Sequence, residues 1–292
     1  DELEPLVYLS VNGLRKTLPI QPRTHTLLVG PSGSGKSHLA SSLAERAEVP
    51  LWRESVTNWC PMGARGNPSF PALIRWLLSV DGGVVFIDEL DKLAGGGEYY
   101  GCIRTEIFSL LDMVAPNTAI MVQEAPDPDP FGGKLSADDR HLVTKVIAEQ
   151  KLRHHVFLIG AGAWQNCWNQ RASQPIGFLA EDAAPRQAVE RVALLRSIAP
   201  ELLQRFRKDV LFLPPMSEDD YLQVLREQLP HIPTRRRDVY EEMVRNAIPS
   251  AVREGLGMRV FEEVFSDLCT KVLKQVTYDE FVFADIMSSS RF

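Results

Sequence analysis

Cysteine is scarce in this chain of 292 residues: only Cys60, Cys102, Cys167 and Cys269 occur, scattered and without a Cys-x-x-Cys pair. That spacing suggests neither a zinc site nor a disulfide framework, and reduced thiols in a cytosol are expected. Long apolar runs are missing too. None approaches the ~18 residues of a membrane-spanning helix, and no secretory or transit segment opens the chain, so a cytoplasmic protein with no membrane role is expected. The first residue is Asp1 rather than Met, which leaves room for an upstream region. Basic residues are not in excess: 32 Lys and Arg stand against 38 Asp and Glu, for a net charge of −6. No general electrostatic pull toward nucleic acid follows from that balance, although a local basic loop is still compatible with binding it. Otherwise the composition, 45% hydrophobic and 24% charged, is ordinary for a globular protein. The length suits one large α/β domain plus a smaller one.

The most informative stretch is Gly30-Pro31-Ser32-Gly33-Ser34-Gly35-Lys36-Ser37, which satisfies Gly-x-x-x-x-Gly-Lys-Ser. Glycines let the backbone turn so that its N–H groups converge on phosphate oxygens. Lys36 reaches the β- and γ-phosphates as a point charge, and the Ser37 hydroxyl is placed to ligate Mg²⁺. Residues 24–29 read as a buried strand, and Leu39, Ala40, Leu43 and Ala47 recur at helical spacing after the loop. Phosphates would therefore meet a helix N-terminus, where free N–H groups and the dipole favour anions. ATP with Mg²⁺ is the expected cofactor pair.

A second stretch runs from Gly83 through Val84, Val85, Phe86 and Ile87 to Asp88 and Glu89. A continuous apolar strand ending in two acids suits a central parallel strand whose carboxyl end faces the ligand. With a phosphate loop about 50 residues upstream, Asp88 is expected in the Mg²⁺ shell and Glu89 is expected to orient or deprotonate water.

Between and beyond these motifs the chain alternates strands and helices. Residues 6–20 suggest a small hairpin around Asn12-Gly13, with Tyr8 either against adenine or a core or surface aromatic. Strands are expected over 49–56, 119–123, 156–159 and 210–213. Helices are expected over 71–80, 103–114, 138–151, 184–197 and 200–207. Alternating prolines make 125–133 an exposed loop, with or without a binding role. The pair His154-His155 reads as strand-edge packing rather than a metal site. Pro214-Pro215 marks a domain boundary, so the expected domains are 1–213 and 214–292. The second domain reads as all-helical: Ser217 to Asp220 resembles a cap, a helix follows over 236–247, and Met258, Phe261, Val264, Phe265, Leu268 and Val272 form an apolar stripe. The fold expected is a three-layer α/β domain around a parallel sheet, followed by a small helical lid.

These features together resemble the AAA+ ATPases, particularly the ClpX/HslU branch of protein-unfolding motors, from about Leu27 to Leu273. The marks are Gly30 to Ser37, Phe86 to Lys92, Gly162-Ala163-Trp164, Ile176-Gly177-Phe178, Pro200 to Arg205 and Gly257-Met258-Arg259. The resemblance implies that Arg205 is an arginine finger reaching the γ-phosphate of a neighbouring subunit, with Lys36 and Glu89 completing the catalytic set. It also implies that Arg259 is a sensor-2 arginine contacting the nucleotide from the lid, and that Arg104 is a second inter-subunit arginine. An arginine supplied in trans implies a closed heterologous interface, and the family expectation is a hexameric ring.

Several departures from that family bear on substrate. Where the unfolding motors carry a pore aromatic, this chain has Met62-Gly63-Ala64-Arg65-Gly66, with Trp59, several residues early, as a candidate substitute. Ala161 and Gly162 occupy the place of the sensor-1 polar residue, which leaves Gln165 or Asn166 as candidates. Residues 176–178 are either a plug for a partner's pocket or a turn in the chain's own core. The favoured reading is an ATP-driven remodeller of protein partners. A nucleic-acid-associated ATPase, of transposition or defence type, is the alternative suggested by Arg65, with Arg53 and Arg140-His141 as further basic residues, and with DNA or RNA as partner. A nucleotide-gated assembly switch is a third.

Overall fold

The computed structural model describes residues 2–20, 22–116, 137–164 and 195–275. It separates into two compact units: residues 1–30 with 36–212, and residues 213–292 with the loop tip Pro31–Gly35.

The first unit is built on strands β1 (Thr26–Val29), β2 (Leu51–Ser55), β3 (Gly83–Asp88), β4 (Val156–Gly162) and β5 (Leu211–Phe212). They form one sheet in the order β2-β3-β4-β1-β5, and each adjacent pair is parallel. Parallel strands covered on both faces read as unbroken apolar runs, and β1 and β4 are buried along their whole length. Helices α1 (Glu4–Val11) and α2 (Lys36–Arg46) share one apolar cluster with Leu28, Val84, Phe86, Phe157 and Ile159. Helices α3 (Ser69–Ser79), α4 (Glu98–Leu111) and α5 (Ala137–His155) contribute to a second with Leu27, Val29, Val85, Ile87 and Leu158. Alternate strand residues thus feed two cores, one on each face. A short helix, α6 (Pro200–Leu203), precedes β5.

The expected hairpin over 6–20 is instead α1 followed by a 3-10 turn, Leu14–Thr17. Pro5 sits in the first turn of α1, where its missing N–H costs nothing. Leu3, Val7 and Val11 then recur every four residues on the buried side. That helical period outweighs the short β-like runs, and Tyr8 on the opposite face is 63% exposed. The helix expected over 200–207 stops at Leu203. The expected elements at 119–123 and 125–133, and most of 184–197, lie outside the described residues.

The second unit carries α7 (Glu218–Gln228), α8 (Arg237–Glu254) and α9 (Arg259–Gln275). Ser217 caps α7 as its sequence suggests: its Oγ accepts from the Asp220 N–H at 3.3 Å and its own N–H donates to Asp220 Oδ2 at 2.8 Å. Tyr221, Leu225, Val244, Ile248, Phe261, Val264 and Leu268 make the core. Phe265 departs from the expected stripe: it is 42% exposed and meets Tyr240 edge to face at 6.1 Å. Among the described residues, no helix is long and apolar enough to cross a membrane.

Candidate active site

The sheet order sets the site. Strand β1 ends at Val29 and delivers Gly30, whose N–H donates to Gly162 O of β4 at 3.3 Å. Strand β3 ends at Asp88, in register with Ser55 of β2. The carboxyl edge thereby gathers the start of the phosphate loop, the start of α2 and the acidic strand end. Ser37 Oγ donates to Asp88 Oδ2 at 3.3 Å across 51 residues of sequence. The other Asp88 oxygen accepts the Glu89 N–H at 2.8 Å. Lys36 is 7% exposed, and its ammonium donates to Gly30 O at 2.7 Å, among its other contacts.

A hydroxyl beside a carboxylate suits Mg²⁺, which takes one or two protein oxygens and completes its octahedron with water and phosphate. No group of three or more His, Cys, Asp or Glu among the described residues is arranged to hold a metal. A cation at Ser37 and Asp88 would complete its shell with water and ligand oxygens. The donor set fits that case.

Glu89 adopts a left-handed backbone conformation, φ 60° and ψ 34°, which costs a non-glycine residue about 1–3 kcal/mol and is common at functional sites. The turn it opens continues as a 3-10 segment, Leu90–Ala94. Its carboxylate Oε2 accepts a short hydrogen bond from Thr57 Oγ1, and Thr57 in turn pairs with Ser55 Oγ at 3.0 Å. Thr57 was not singled out in the sequence. The available signal was its place just past the end of β2, the strand flanking the acidic one. Arg53, although exposed, lies along α2: it donates to Ser37 O at 3.2 Å and to Ser41 Oγ at 2.5 Å, and its guanidinium lies 5.9 Å from the Phe86 ring centroid.

At the end of β4 the structure explains the missing polar residue. A Cβ added at Gly162 would lie 2.4 Å from the Trp164 ring and 3.0 Å from Asp91 Oδ1, and Asp91 Oδ1 accepts the Ala163 N–H at 3.1 Å. An indole fills the position, so only glycine fits. Gln165 and Asn166 lie outside the described residues, as do residues 176–178.

Trp59 is not a substitute pore aromatic. It is fully buried, edge-on to Phe70 at 6.3 Å, and its Nε1–H donates to Glu106 Oε2 at 2.8 Å. Glu106 is 5% exposed, and its second oxygen accepts the Met62 N–H at 2.7 Å. This buried carboxylate braces the root of the loop 60–66. Within that loop Ala64 is half-buried and Arg65 exposed.

The arginines fall in three places. Arg205 Nε and Nη2 donate to Asp112 Oδ2 at 3.1 and 3.0 Å, Nη1 donates to Glu201 O at 2.6 Å, and the guanidinium lies 4.3 Å from the Phe108 ring centroid. Arg104 donates to Leu93 O at 3.1 and 2.6 Å and to Gly95 O at 3.3 Å. Arg259 is exposed at the head of α9, in the second unit. In that same unit the Met258 N–H donates to Gly33 O at 2.9 Å. Gly257, at φ +60°, would bring a Cβ to 2.0 Å from Gly33 O, and Tyr221 OH accepts the Gly257 N–H at 2.7 Å. Of the residues singled out from sequence, Lys36, Ser37, Asp88 and Glu89 lie along one sheet edge with Gly30. The tip Pro31, Ser32, Gly33, Ser34 and Gly35 groups with Gly257 and Met258, and Arg205 has its described contacts elsewhere.

Residues 26–162 match the family model described as ATPase family associated with various cellular activities (AAA). The chain is 28% identical over 214 residues to ATP-dependent Clp protease ATP-binding subunit ClpX 2 of Wolinella succinogenes, covering 70% of this chain and 51% of that protein. It is 37% identical over 83 residues to the ClpX 3 subunit of Methylococcus capsulatus, covering 26% of this chain and 19% of that protein. A ClpX subunit of Borrelia duttonii is 35% identical over 89 residues, or 28% of this chain and 21% of that protein. The chain therefore spans about half of the first relative's length and about a fifth of the other two.

Proposed function

We propose that this chain, whose residues 26–162 are an AAA domain, is a ring-forming ATPase that couples ATP hydrolysis to remodelling of a protein partner. Ser37 and Asp88 would hold a Mg²⁺ that neutralises phosphate charge, Lys36 and the loop Gly30 to Gly35 would bind the phosphates, and Glu89 would orient or deprotonate the attacking water. Arg205 serves the γ-phosphate of a neighbouring subunit, in a closed ring of six, and Arg259 brings the lid's charge to the nucleotide. The observation that carries this reading is the meeting of Ser37 Oγ with Asp88 Oδ2, with Glu89 next in the chain and held by Thr57. Similarity to ClpX subunits supports a protein as the substrate.

A nucleic-acid-associated ATPase is the second reading. The exposed Arg65 in the loop 60–66 favours it, whereas Arg53 gives it no support because that guanidinium is engaged with α2. ATP turnover measured side by side with an unfolded protein, DNA and RNA separates the two. Stimulation by unfolded protein alone is expected. Stimulation by nucleic acid alone, weakening steeply with salt, would replace the first reading with the second.

A further inference from the structure

We propose that Asp112 and Phe108 are positioning residues that set the Arg205 guanidinium for a phosphate on a neighbouring subunit; this rests on the reading of Arg205 as an arginine supplied in trans. Helix α4 carries Arg104, Phe108 and Asp112 four residues apart, with Asp112 as its C-cap, so all three share one face. Arg104 ties that face to Leu93 O, in the turn that follows Glu89. Four residues on, the Phe108 ring supports the Arg205 guanidinium at 4.3 Å. A further four on, Asp112 Oδ2 accepts both Nε–H and Nη2–H, while Glu201 O accepts from Nη1.

A guanidinium has five N–H donors in a rigid fork. Three take part in these contacts. One N–H on each Nη is left, and such a pair suits bidentate recognition of a phosphate. A single carboxylate oxygen on the Nε edge, a carbonyl and a ring fix the fork's plane without covering both of its ends. The same face of α4 reaches the turn beyond this subunit's own Glu89, so the arginine offered to the neighbour is held by a helix that also contacts the turn following the local acidic strand end.

Asp112 is 49% exposed and Arg205 24%, so the pair contributes little to folding stability. Loss of alignment is another matter, because small misplacement of a charge-stabilising group slows a reaction by one to two orders of magnitude. Asp112→Ala should therefore lower ATP turnover roughly 10- to 100-fold while leaving the KM for ATP and the melting temperature close to the parent's. Asp112→Glu should recover part of the rate, and Phe108→Leu should lose about threefold.

The decisive test mixes Asp112→Ala chains, which keep an intact nucleotide site, with Glu89→Gln chains, which lack the hydrolytic carboxylate but keep a well-held Arg205. Turnover of the mixture above the sum of its parts is expected, because only a group acting across the interface is restored by mixing. Arg205→Ala is measured alongside. If Arg205→Ala is silent alone but regains turnover when mixed with Glu89→Gln chains, while Asp112→Ala turns over fully or is slow and unrescued by mixing, the positioning role is wrong and the reading of Arg205 stands. If Arg205→Ala itself turns over fully, the trans reading fails and this inference falls with it.

Discussion

Replacing Glu106 by glutamine tests how the loop after β2 is held. The parent carboxylate is 5% exposed and has two oxygens for two donors, Trp59 Nε1–H at 2.8 Å and the Met62 N–H at 2.7 Å. Glutamine has the same shape but a single acceptor oxygen, so one donor would face an amide N–H₂ at hydrogen-bond distance. The loss of one charge-assisted hydrogen bond, with its donor left unsatisfied, is worth about 2 kcal/mol. Relief from burying a charge acts the other way, but both of the charge's oxygens are satisfied in the parent. Leucine removes both acceptors and should cost about 4 kcal/mol. At roughly 2–4 °C per kcal/mol for a protein of this size, glutamine should lower the melting temperature by about 6 °C and leucine by about twice that. Thermal denaturation of the nucleotide-free protein, with hydrogen exchange at the Met62 amide, is the assay. Exchange at Met62 should quicken in both variants. A glutamine variant as stable as the parent, with unchanged exchange, would refute the bracing role assigned to this carboxylate.

Thr57→Val removes the donor that engages Glu89 Oε2. Freed from that bond, the carboxylate should meet water more readily, raising basal ATP turnover about fivefold with KM unchanged; a fall in steady-state rate would show instead that Thr57 aligns the base. His25 supplies a pH dependence. Burial, reinforced by Arg15 and Arg23, lowers its pKa from 6.5 to about 3, so the folded chain keeps it neutral. Below about pH 6.5 the unfolded chain binds a proton that the folded chain refuses, and stability falls by ~1.4 kcal/mol per pH unit as pH drops toward 3. Denaturation midpoints between pH 7 and 5 should decline accordingly, and His25→Gln should flatten that decline; an unaltered slope in the variant would place its origin elsewhere.

The parts of the site legible in sequence are those encoded locally. Gly30 to Ser37 follows an apolar strand and opens a helix, and Gly83 to Glu89 is an apolar run ending in acids, so spacing and periodicity suffice. The parallel sheet follows from the same alternation, and the Ser217 to Asp220 cap from a four-residue pattern. What escaped is set by partners remote in sequence. Thr57 meets Glu89 across 32 residues, Trp59 meets Glu106 across 47, and Arg205 meets Asp112 across 93. Nothing in the local pattern around Trp59 separates a buried indole from an exposed one. At α1 the error was one of period: short apolar runs resemble strand arms until Leu3, Val7 and Val11 are seen to recur every fourth residue.

The central claim, that Glu89 performs the hydrolytic step at a site where Lys36, Ser37 and Asp88 hold a magnesium nucleotide, is tested most directly by following phosphate release from MgATP in the parent and in Glu89→Gln, with ATP binding measured on both. The account predicts that the variant binds ATP as the parent does and releases phosphate at least about 100-fold more slowly. Phosphate release by Glu89→Gln at the parent's rate would contradict it.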